Sequence, residues 1–341
     1  MKILSPIPEY FGDSFRHSIQ PEALDFLHQL NGLSIIDIKG QDTSRWRVVT
    51  TLIHGNEPSG FIATHWWLKQ AFKPITNIRI IICNPEAAQI APAFSQRYIP
   101  SGEDLNRFFA EPLENDHEIA IRARQIKRAI EEVRPEAVID LHNTSGNSPA
   151  FAVSIYDSIK ELALAELFTQ KFIFTGLKVG ALMEQSLGAP IVTVECGGAN
   201  QIRSHQVACD GLAQYFTLND LFERETKNMS VHRHPIRVEL VDKAVVGFAQ
   251  NKLPTCNITF REDIEQFNQK QINEGEFLGW YNQQQQLPLK ATDEQGVNRI
   301  GQLIETRNNE VYAKQSMQLF MITTLREIAT KDCLFYATLN H

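Results

Sequence analysis

The amino-acid sequence predicts an α/β domain, built on a mixed and largely parallel sheet flanked by helices, followed by a smaller β-rich domain. Three observations predict this fold class. Short apolar runs alternate with segments of helical periodicity through the first two thirds of the chain, which is typical of strand–helix–strand units. The apolar runs are continuous, as expected for strands covered on both faces of a sheet. The last third has few helical signals.

The first domain contains five predicted strands, which are short, apolar and rich in β-branched residues. They span residues 45–53, 78–83, 137–141, 172–176 and 191–196. Segments with helical spacing of apolar residues lie among and after these strands, at 60–72, 115–133, 158–172 and 206–225. Asn115 or Asp116 is the predicted N-cap of the second helix, because Asn and Asp side chains accept hydrogen bonds from the first free backbone amides.

The composition changes near residue 226, after which short strand-like runs lie among Gln, Asn, Gly and Pro. These runs are 236–241, 244–249, 256–260, 310–314 and 319–325. We therefore predict two domains, one over residues 1–225 that carries the functional site and a β-rich one over 226–341 that partly caps this site.

The overall composition is that of an ordinary globular protein. Of the 341 residues, 43% are hydrophobic and 21% are charged, and the formal net charge is -7. This acidic balance argues against nucleic acid or an anionic membrane as the main partner, since both require a basic surface. The five cysteines form no Cys-x-x-Cys pair, which argues against a disulfide scaffold or a cysteine zinc finger. No apolar leader and no run of the ~18 apolar residues of a membrane span are seen, so the cytoplasm is the expected location.

Three of the predicted strands end in residues that bind metals or transfer protons. The run "TLIHGNEPSG" places His54 directly after the first strand, with Glu57 three residues later. His142 ends the strand in "VIDLHNTSGN", and Glu195 ends the strand in "IVTVECGG". A His-x-x-Glu pair alone is weak evidence for a metal site. The strand-end positions strengthen it, because ligand sites in open α/β sheets lie beyond the carboxyl ends of the strands.

Two imidazoles and one carboxylate, with a fourth position left to water, form the ligand set of a catalytic zinc ion. His54, Glu57 and His142 supply such a set. A carboxylate that ends an apolar run is costly unless it is paired or functional, and Glu195 beside a metal could serve as a general base. Simpler interpretations are a helix cap for the first pair, a core histidine for His142 and a structural ion pair for Glu195.

The segment "QRYIPSGEDLNRFF", residues 96–109, concentrates polar groups in one loop. Arg97 and Arg107 carry guanidinium groups suited to a carboxylate, and Asn106 lies next to Arg107. A cation directed at a carbonyl would also stabilise a developing oxyanion. The alternative is a solvated basic loop in which Asp104 pairs with an arginine.

Taken together, these segments resemble the succinylglutamate desuccinylase/aspartoacylase family, a branch of the zinc carboxypeptidase fold. The matching segments occur in that family's order over residues 51–198 and are "HGNEPSG", "NPEA", "RYIPSGEDLNRFF", "DLHNTSGN" and "VTVECGG". The form "DLHNT" is more similar to aspartoacylases. Residues 264–280 loosely resemble the desuccinylase C-terminal domain.

The resemblance implies a metal centre and a general base. His54, Glu57 and His142 would hold one zinc ion per chain. Glu195 would deprotonate the attacking water and pass the proton to the leaving amine. The reaction would be hydrolysis of the amide bond of a small N-acyl amino acid, which releases a carboxylic acid and a free amino acid.

The resemblance also implies how such a substrate is held. Arg97 would polarise the acyl carbonyl, and Asn106 with Arg107 would bind a substrate carboxylate. The family commonly has a carboxylate-binding Arg ten residues before the catalytic Glu, where this chain has Gln185. Recognition of a second carboxylate is therefore not implied. An aspartoacylase tyrosine from the C-terminal domain has two candidate counterparts here, Tyr281 and Tyr312.

The leading hypothesis is a zinc-dependent amidohydrolase whose partner is a small-molecule N-acyl amino acid, with homo-oligomers left open. A zinc carboxypeptidase on the same scaffold is the nearest alternative, although a capping domain would exclude long peptides. A non-catalytic protein that binds a small carboxylate is a further alternative, but it would be expected to have lost a metal ligand or the general base. The absence of a Gly-x-Ser-x-Gly motif counts against a serine hydrolase.

Overall fold

The chain divides into two compact units. The computed structural model describes residue 4 and residues 7–70, 72–99, 102–112, 116–223, 228–282 and 286–339. The first unit comprises Met1–Asn143, Ala150–Phe172 and Lys178–Val231, and the second comprises Thr144–Pro149, Ile173–Leu177 and His232–His341. Three residues of the predicted loop and helix cap, Pro100, Ser101 and Asn115, lie outside the described residues.

Nine strands form one mixed sheet. They are β1 (Glu9–Phe11), β2 (Ser34–Ile38), β3 (Asp42–Thr51), β4 (Thr76–Ile82), β5 (Ala137–Thr144), β6 (Phe151–Ser154), β7 (Lys171–Phe174), β8 (Ile191–Gly198) and β9 (Ser230–Arg233). Their order across the sheet is β1-β2-β4-β3-β5-β8-β6-β7-β9. β3 is parallel to both β4 and β5, whereas β2 is antiparallel to β4 and β6 is antiparallel to β8. The predicted mixed α/β fold is confirmed, and all five predicted strands of the first domain are present.

The helices of the first unit are α1 (Ala23–Gln29), α2 (Ser59–Lys69), α3 (Pro85–Ala88), α4 (Glu118–Glu132), α5 (Ile159–Glu166) and α6 (Ile202–Thr217). Four of them, α2, α4, α5 and α6, overlap the predicted helices. The N-cap of α4 is His117, whose Nδ1 accepts a hydrogen bond from the backbone amide of Ile119. The prediction of Asp116 as this cap is wrong, because the His117 ring stacks on Phe108 with 5.6 Å between centroids and caps the helix one residue later.

Three of the four central strands are buried along their whole length, which explains their continuous apolar sequences. Every residue of β4, β5 and β8 is buried. α4 packs on the sheet through Ile126 and Ile130, which share a buried cluster with Val48 of β3 and Val138 of β5. Because residues four apart lie on one face of a helix, this spacing directs one apolar face of α4 to the core.

The second unit is rich in strands and contains two five-stranded sheets. Its elements are β10 (Ile236–Leu240), β11 (Val246–Ala249), β12 (Ile258–Arg261), β13 (Gln271–Ile272), β14 (Phe277–Tyr281), β15 (Leu289–Thr292), α7 (Ile300–Leu303), β16 (Ile304–Arg307), β17 (Glu310–Ala313), β18 (Met317–Phe320), α8 (Arg326–Lys331) and β19 (Phe335–Leu339). The strand orders are β13-β18-β19-β10-β15 and β11-β12-β14-β17-β16. Val238 and Phe335 of the first sheet share a buried cluster with Ile258 and Val311 of the second. That this unit caps the functional site stays a prediction.

Across the part of the chain that the structure describes, no helix combines the length and the apolar character that a membrane crossing needs.

A buried ion pair joins α4 to α3. Arg122 and Glu86 are only 1% and 4% exposed. The guanidinium group binds the carboxylate through both terminal nitrogens, with Nη2 2.8 Å from Oε1 and Nη1 3.2 Å from Oε2, and Nη1 also donates to the carbonyl oxygen of Cys83 at 2.8 Å. A paired charge of this kind is tolerated in the core, but a single remaining partner is not.

Arg122→Met should lower the free energy of unfolding by about 3–5 kcal/mol, because it leaves the buried Glu86 carboxylate without this cation. Urea titration followed by circular dichroism measures the loss. Arg128→Met is the matched control on the exposed side of the same helix, where the expected change is within about 0.5 kcal/mol. Equal losses in the two variants would contradict a stabilising role for the buried pair.

Candidate metal centre

The ends of three neighbouring strands supply the central residues of the site. His54 follows β3, while His142 and Glu195 lie near the ends of β5 and β8, which are the next strands across the sheet. The structure brings His54, Glu57 and His142 together, with one donor atom from each lying within 4.8 Å of the other two. Their exposures are only 3%, 4% and 2%. The predicted ligand set is therefore a buried cluster.

Glu57 lies between the two imidazoles. Its Oε1 is 2.8 Å from Nδ1 of His54, and its Oε2 is 2.7 Å from Nδ1 of His142. The Nδ1 atoms of both rings thus face the same carboxylate. This is the donor set, two imidazole nitrogens and one carboxylate, that a catalytic zinc ion takes.

Gly55 allows the loop after β3 to reach this position. A Cβ atom at Gly55 would lie 2.5 Å from the backbone nitrogen of Ala88 and 2.6 Å from the carbonyl oxygen of Gln96. The backbone amide of Gly55 donates to the carbonyl oxygen of Arg97 at 2.8 Å. Because the neighbours are backbone atoms that cannot turn aside, only glycine allows the two segments to approach so closely.

Two carboxylates hold the outer nitrogens of the imidazoles. Nε2 of His54 is 2.7 Å from Oδ1 of Asp104, and Nε2 of His142 is 2.9 Å from Oδ2 of Asp140. With a metal ion bound, each ring would donate its Nε2–H outward and present the lone pair of Nδ1 to the ion. Zinc-bound histidines in proteins typically show this arrangement.

Sequence reasoning missed these roles of Asp104 and Asp140. Asp104 was expected, at most, to pair with an arginine. A signal for Asp140 was present, since residues two apart on a strand lie on the same face and Asp140 precedes His142 by two. No local signal links Asp104 to His54, which are 50 residues apart in the chain.

Asp140 also joins the three strands of the site. Its Oδ1 accepts a hydrogen bond from the Thr50 hydroxyl of β3 at 2.6 Å, and its Oδ2 accepts one from the Thr193 hydroxyl of β8 at 3.2 Å. The residue is fully buried. A buried carboxylate with several donors is strongly anchored, and it therefore fixes the position of the His142 ring.

The electrostatics of the cluster favour a cation at its centre. Burial lowers the pKa of His142, but the carboxylates of Asp140 and Glu57 outweigh it and hold this pKa well above its ordinary value. Burial raises the pKa of Asp104, but His54 and Arg97 outweigh it and hold this pKa well below its ordinary value. Buried carboxylates that stay ionised require positive charge nearby, which protons or a metal ion can supply.

Glu195 lies beside this cluster with one oxygen unpaired. It is 8% exposed, and its Oε2 is buried with no hydrogen-bond partner among the described residues. Burial raises the pKa of Glu195 to about 7, and the neighbouring charges of His142 and Glu57 partly oppose each other. A buried carboxylate oxygen without a partner is costly in a structural role, so it fits a group that takes up a proton or binds a ligand.

Arg97 lies within the same cluster. Its Nη1 is 3.1 Å from Oε1 of Glu57, and its Nη2 is 3.0 Å from Oδ2 of Asp104. Asp104 therefore holds both the His54 imidazole and the arginine. The alternative prediction, in which Asp104 pairs with an arginine, describes the same contact. The side chain of Arg97 is only 17% exposed, however, so the contact does not belong to a solvated surface loop.

Asn106 and Arg107 lie one step further from the imidazoles. The backbone amide of Asn106 donates to Oδ1 of Asp104 at 2.9 Å, and its side-chain oxygen accepts from the amide of Leu182 at 3.0 Å. Arg107 donates from Nη1 to the carbonyl oxygen of Asn106 at 3.1 Å. Gln185 accepts from Nζ of Lys127 at 3.3 Å. The substrate-binding roles of Asn106 and Arg107 stay predictions, as do those of the candidate tyrosines Tyr281 and Tyr312 in the second unit.

Comparison with protein families identifies the domain that carries this site. Residues 47–215 match the succinylglutamate desuccinylase/aspartoacylase catalytic domain. The chain belongs to this family. The matched range includes every candidate site residue from His54 to Glu195. A desuccinylase and an aspartoacylase are both hydrolases, so membership of the succinylglutamate desuccinylase/aspartoacylase family supports hydrolysis of N-acyl amino acids.

Solved structures of the same fold include members named for this family. Succinylglutamate desuccinylase from Vibrio parahaemolyticus matches with a TM-score of 0.59 and 15% identity, over 94% of this chain and 95% of that one. Murine aminoacylase 3 matches with a TM-score of 0.54 and 16% identity, over 88% and 96%. The succinylglutamate desuccinylase/aspartoacylase from Rhodobacter sphaeroides matches with a TM-score of 0.56 and 13% identity, over 90% of this chain and 88% of that one. At these identities the similarity shows a shared fold. A search of curated proteins found no match.

Asp104→Ala should weaken zinc binding about 10–100-fold, because His54 then loses the acceptor that orients its ring. Competition with a chromophoric chelator, starting from metal-free protein, measures the dissociation constant. Asp42→Ala is the matched control, since Asp42 also accepts hydrogen bonds from a backbone amide and an arginine, those of Ser44 and Arg45. An unchanged zinc affinity in Asp104→Ala would show that this carboxylate does not orient His54.

Proposed function

We propose that the protein is a zinc-dependent hydrolase that cleaves the amide bond of small N-acyl amino acids. The observation that carries this proposal is the buried cluster of His54, Glu57 and His142 beside the unpaired carboxylate oxygen of Glu195. Family membership supports a hydrolase, and the two enzymes that name the family act on N-acyl amino acids. The products are a carboxylic acid and a free amino acid.

The proposed zinc ligands are Nδ1 of His54, Nδ1 of His142 and the carboxylate of Glu57. When bound, zinc would supply a Lewis acid and lower the pKa of a bound water to about 7. Asp104 and Asp140 lie at hydrogen-bond distance from the two Nε2 atoms, where they would accept the Nε2–H groups and so hold both rings in the tautomer that zinc binding requires. One zinc ion per chain is proposed.

Glu195 is the proposed general base. A base is most effective when its pKa lies near the working pH, and burial raises the pKa of Glu195 to about 7. In its ionised form Glu195 accepts the proton of the attacking water. In its protonated form it gives this proton to the leaving amine, so that the carboxylate is restored at the end of the reaction.

The arginines would bind and orient the substrate. Arg97 is held beside Glu57 by Asp104, and its proposed role is to stabilise an acyl oxygen that accumulates negative charge. Asn106 and Arg107 are the proposed binding residues for the carboxylate of the amino acid. Asp104 fixes the turn that carries them, because it accepts a hydrogen bond from the backbone amide of Asn106. The same carboxylate thus holds Arg97 and the proposed carboxylate-binding residues.

Glu195→Gln should lower kcat by about 10²–10⁴-fold with one zinc ion retained, because the amide cannot take up the proton of the attacking water. Zinc-loaded protein is assayed with N-acetyl, N-succinyl and N-formyl amino acids, and its zinc content is measured by atomic absorption. Glu131→Gln on the exposed side of α4 is the control. The wild-type protein is also assayed with dipeptides, and cleavage of dipeptides alone would favour the carboxypeptidase instead. A zinc-loaded wild type that turns over neither substrate class would contradict a hydrolase.

Removal of zinc by dialysis against a chelator should abolish hydrolysis, and stoichiometric zinc should restore it, because the ion supplies the Lewis acid of the reaction. The rate of amide cleavage is followed during the titration with zinc. His142→Ala serves as the matched variant, in which added zinc should give no recovery. Full activity of the dialysed protein, with less than about one tenth of a zinc ion per chain, would contradict zinc dependence.

A further inference from the structure

We infer that Asn143 is a positioning residue, whose buried side-chain amide fixes the end of β8, and with it Glu195, against the loop that carries Glu57. The kinetic part of this inference rests on the proposed function. The structural part concerns only how the chain segments are held together, and it can be tested without a substrate.

The side-chain amide of Asn143 forms hydrogen bonds with residues next to the candidate site. Asn143 follows His142 directly and is 2% exposed. Its Nδ2 donates to the carbonyl oxygen of Gly197 at 2.8 Å and to the hydroxyl of Ser59 at 2.8 Å. Its Oδ1 accepts from the backbone amide of Ser59 at 2.9 Å. The amide therefore contacts two chain segments that are distant in sequence.

These contacts leave only one orientation for the amide. The backbone N–H of Ser59 can only donate, so it must face Oδ1. The carbonyl oxygen of Gly197 can only accept, so it must face the NH₂ group. Both partners require the same orientation of Asn143, and rotating the amide by half a turn would lose both bonds. A buried amide fixed in this way holds its neighbours in a defined register.

The two segments carry the proposed metal ligand and the proposed base. Ser59 is the fully buried first residue of α2 and lies two residues after Glu57. Gly197 lies two residues after Glu195 in β8, with a φ of +110° that side chains other than glycine rarely adopt. Asn143 binds the carbonyl oxygen of this glycine.

His205 of α6 also contacts Ser59, the residue that Asn143 binds. Its Nδ1 is 2.8 Å from the hydroxyl oxygen of Ser59. This hydroxyl accepts a hydrogen bond from Asn143 and still has its own proton to give to the imidazole in its neutral form. α2 and α6, which pack against each other, are thereby joined at their N-terminal ends next to the site.

The position of Glu195 depends on its strand more than on bonds to its carboxylate. Its Oε2 has no hydrogen-bond partner among the described residues. The backbone of β8 therefore has to place this oxygen. Side-chain bonds hold this strand on both sides of Glu195, from Thr193 to Asp140 and from Asn143 to the carbonyl oxygen of Gly197. A displacement of about 1 Å of a reacting group can lower a rate about 10²-fold.

Asn143→Asp and Asn143→Ala test the inference. The aspartate can still accept from Ser59 but cannot donate to Gly197, whereas the alanine loses both contacts. In metal-free protein, amide exchange followed by mass spectrometry should be at least about tenfold faster in the peptide that contains residues 195–198. In zinc-loaded protein, kcat should fall about 10–100-fold while KM stays within about threefold and one zinc ion is retained.

Asn77→Asp is the matched control. Asn77 is 3% exposed, its Oδ1 accepts from the amide of Gly40 at 3.0 Å, and its Nδ2 donates to the carbonyl oxygen of Thr43 at 2.8 Å. It lies at the opposite end of the sheet, where β4 begins. A comparable loss of stability is expected there, without faster exchange in residues 195–198 and without the selective fall in kcat.

Three results would overturn the inference. The first is unchanged exchange of residues 195–198 in both Asn143 variants. The second is faster exchange that is equal in β2, β4 and β8, since this reports a general loss of stability. The third is a fall in kcat no larger than that of Asn77→Asp. If the wild-type protein hydrolyses no N-acyl amino acid, the proposed function fails, and the exchange measurements alone decide the role of Asn143.

Discussion

The carboxylate of Glu57 is the group on which the rest of the site depends. It is buried between His54 and His142, at 2.8 and 2.7 Å from their Nδ1 atoms. A buried charge is stable only when it is paired and hydrogen-bonded. The two imidazoles and Arg97 meet this condition, and the carboxylates of Asp104 and Asp140 hold the imidazoles in place. The arrangement that stabilises the folded site is therefore the one that would bind a divalent cation.

The sheet makes this arrangement possible because it fixes strand ends that are distant in sequence. β3, β5 and β8 are neighbours, and Asp140 on the central strand accepts hydrogen bonds from Thr50 and Thr193 on the strands beside it. Backbone hydrogen bonds set the strand positions, and these side-chain bonds set the final separation at the carboxyl ends. The site is rigid for the same reason that the core is stable, and this rigidity suits a reaction that depends on placement.

Periodicity predicted which elements form, whereas their ends depend on tertiary contacts. The helical pattern was expected to continue to residue 225, but α6 ends at Thr217. Directly after it, the buried guanidinium group of Arg47 donates a hydrogen bond to the carbonyl oxygen of Leu218 at 2.8 Å. β18 ends at Phe320 because Met321 has a φ of +57° and turns the chain out of the sheet. The predicted strands omitted β2 and β6, because periodicity alone does not separate a run of four or five residues from a buried helix or loop segment.

The sequence by itself determined the kind of fold and the kinds of side chain at the candidate site, because strand-forming runs and the residues that follow them are local properties of the chain. It therefore indicated His54, Glu57, His142 and Glu195. Only the tertiary structure decided which groups stand behind them. Contacts such as that from Asp104 to His54, or from Asn143 to Ser59 of α2 and Gly197 of β8, join positions far apart in the chain. A hydrogen bond forms only when donor and acceptor are placed to within a few tenths of an ångström, and no local pattern of residue types specifies such a placement.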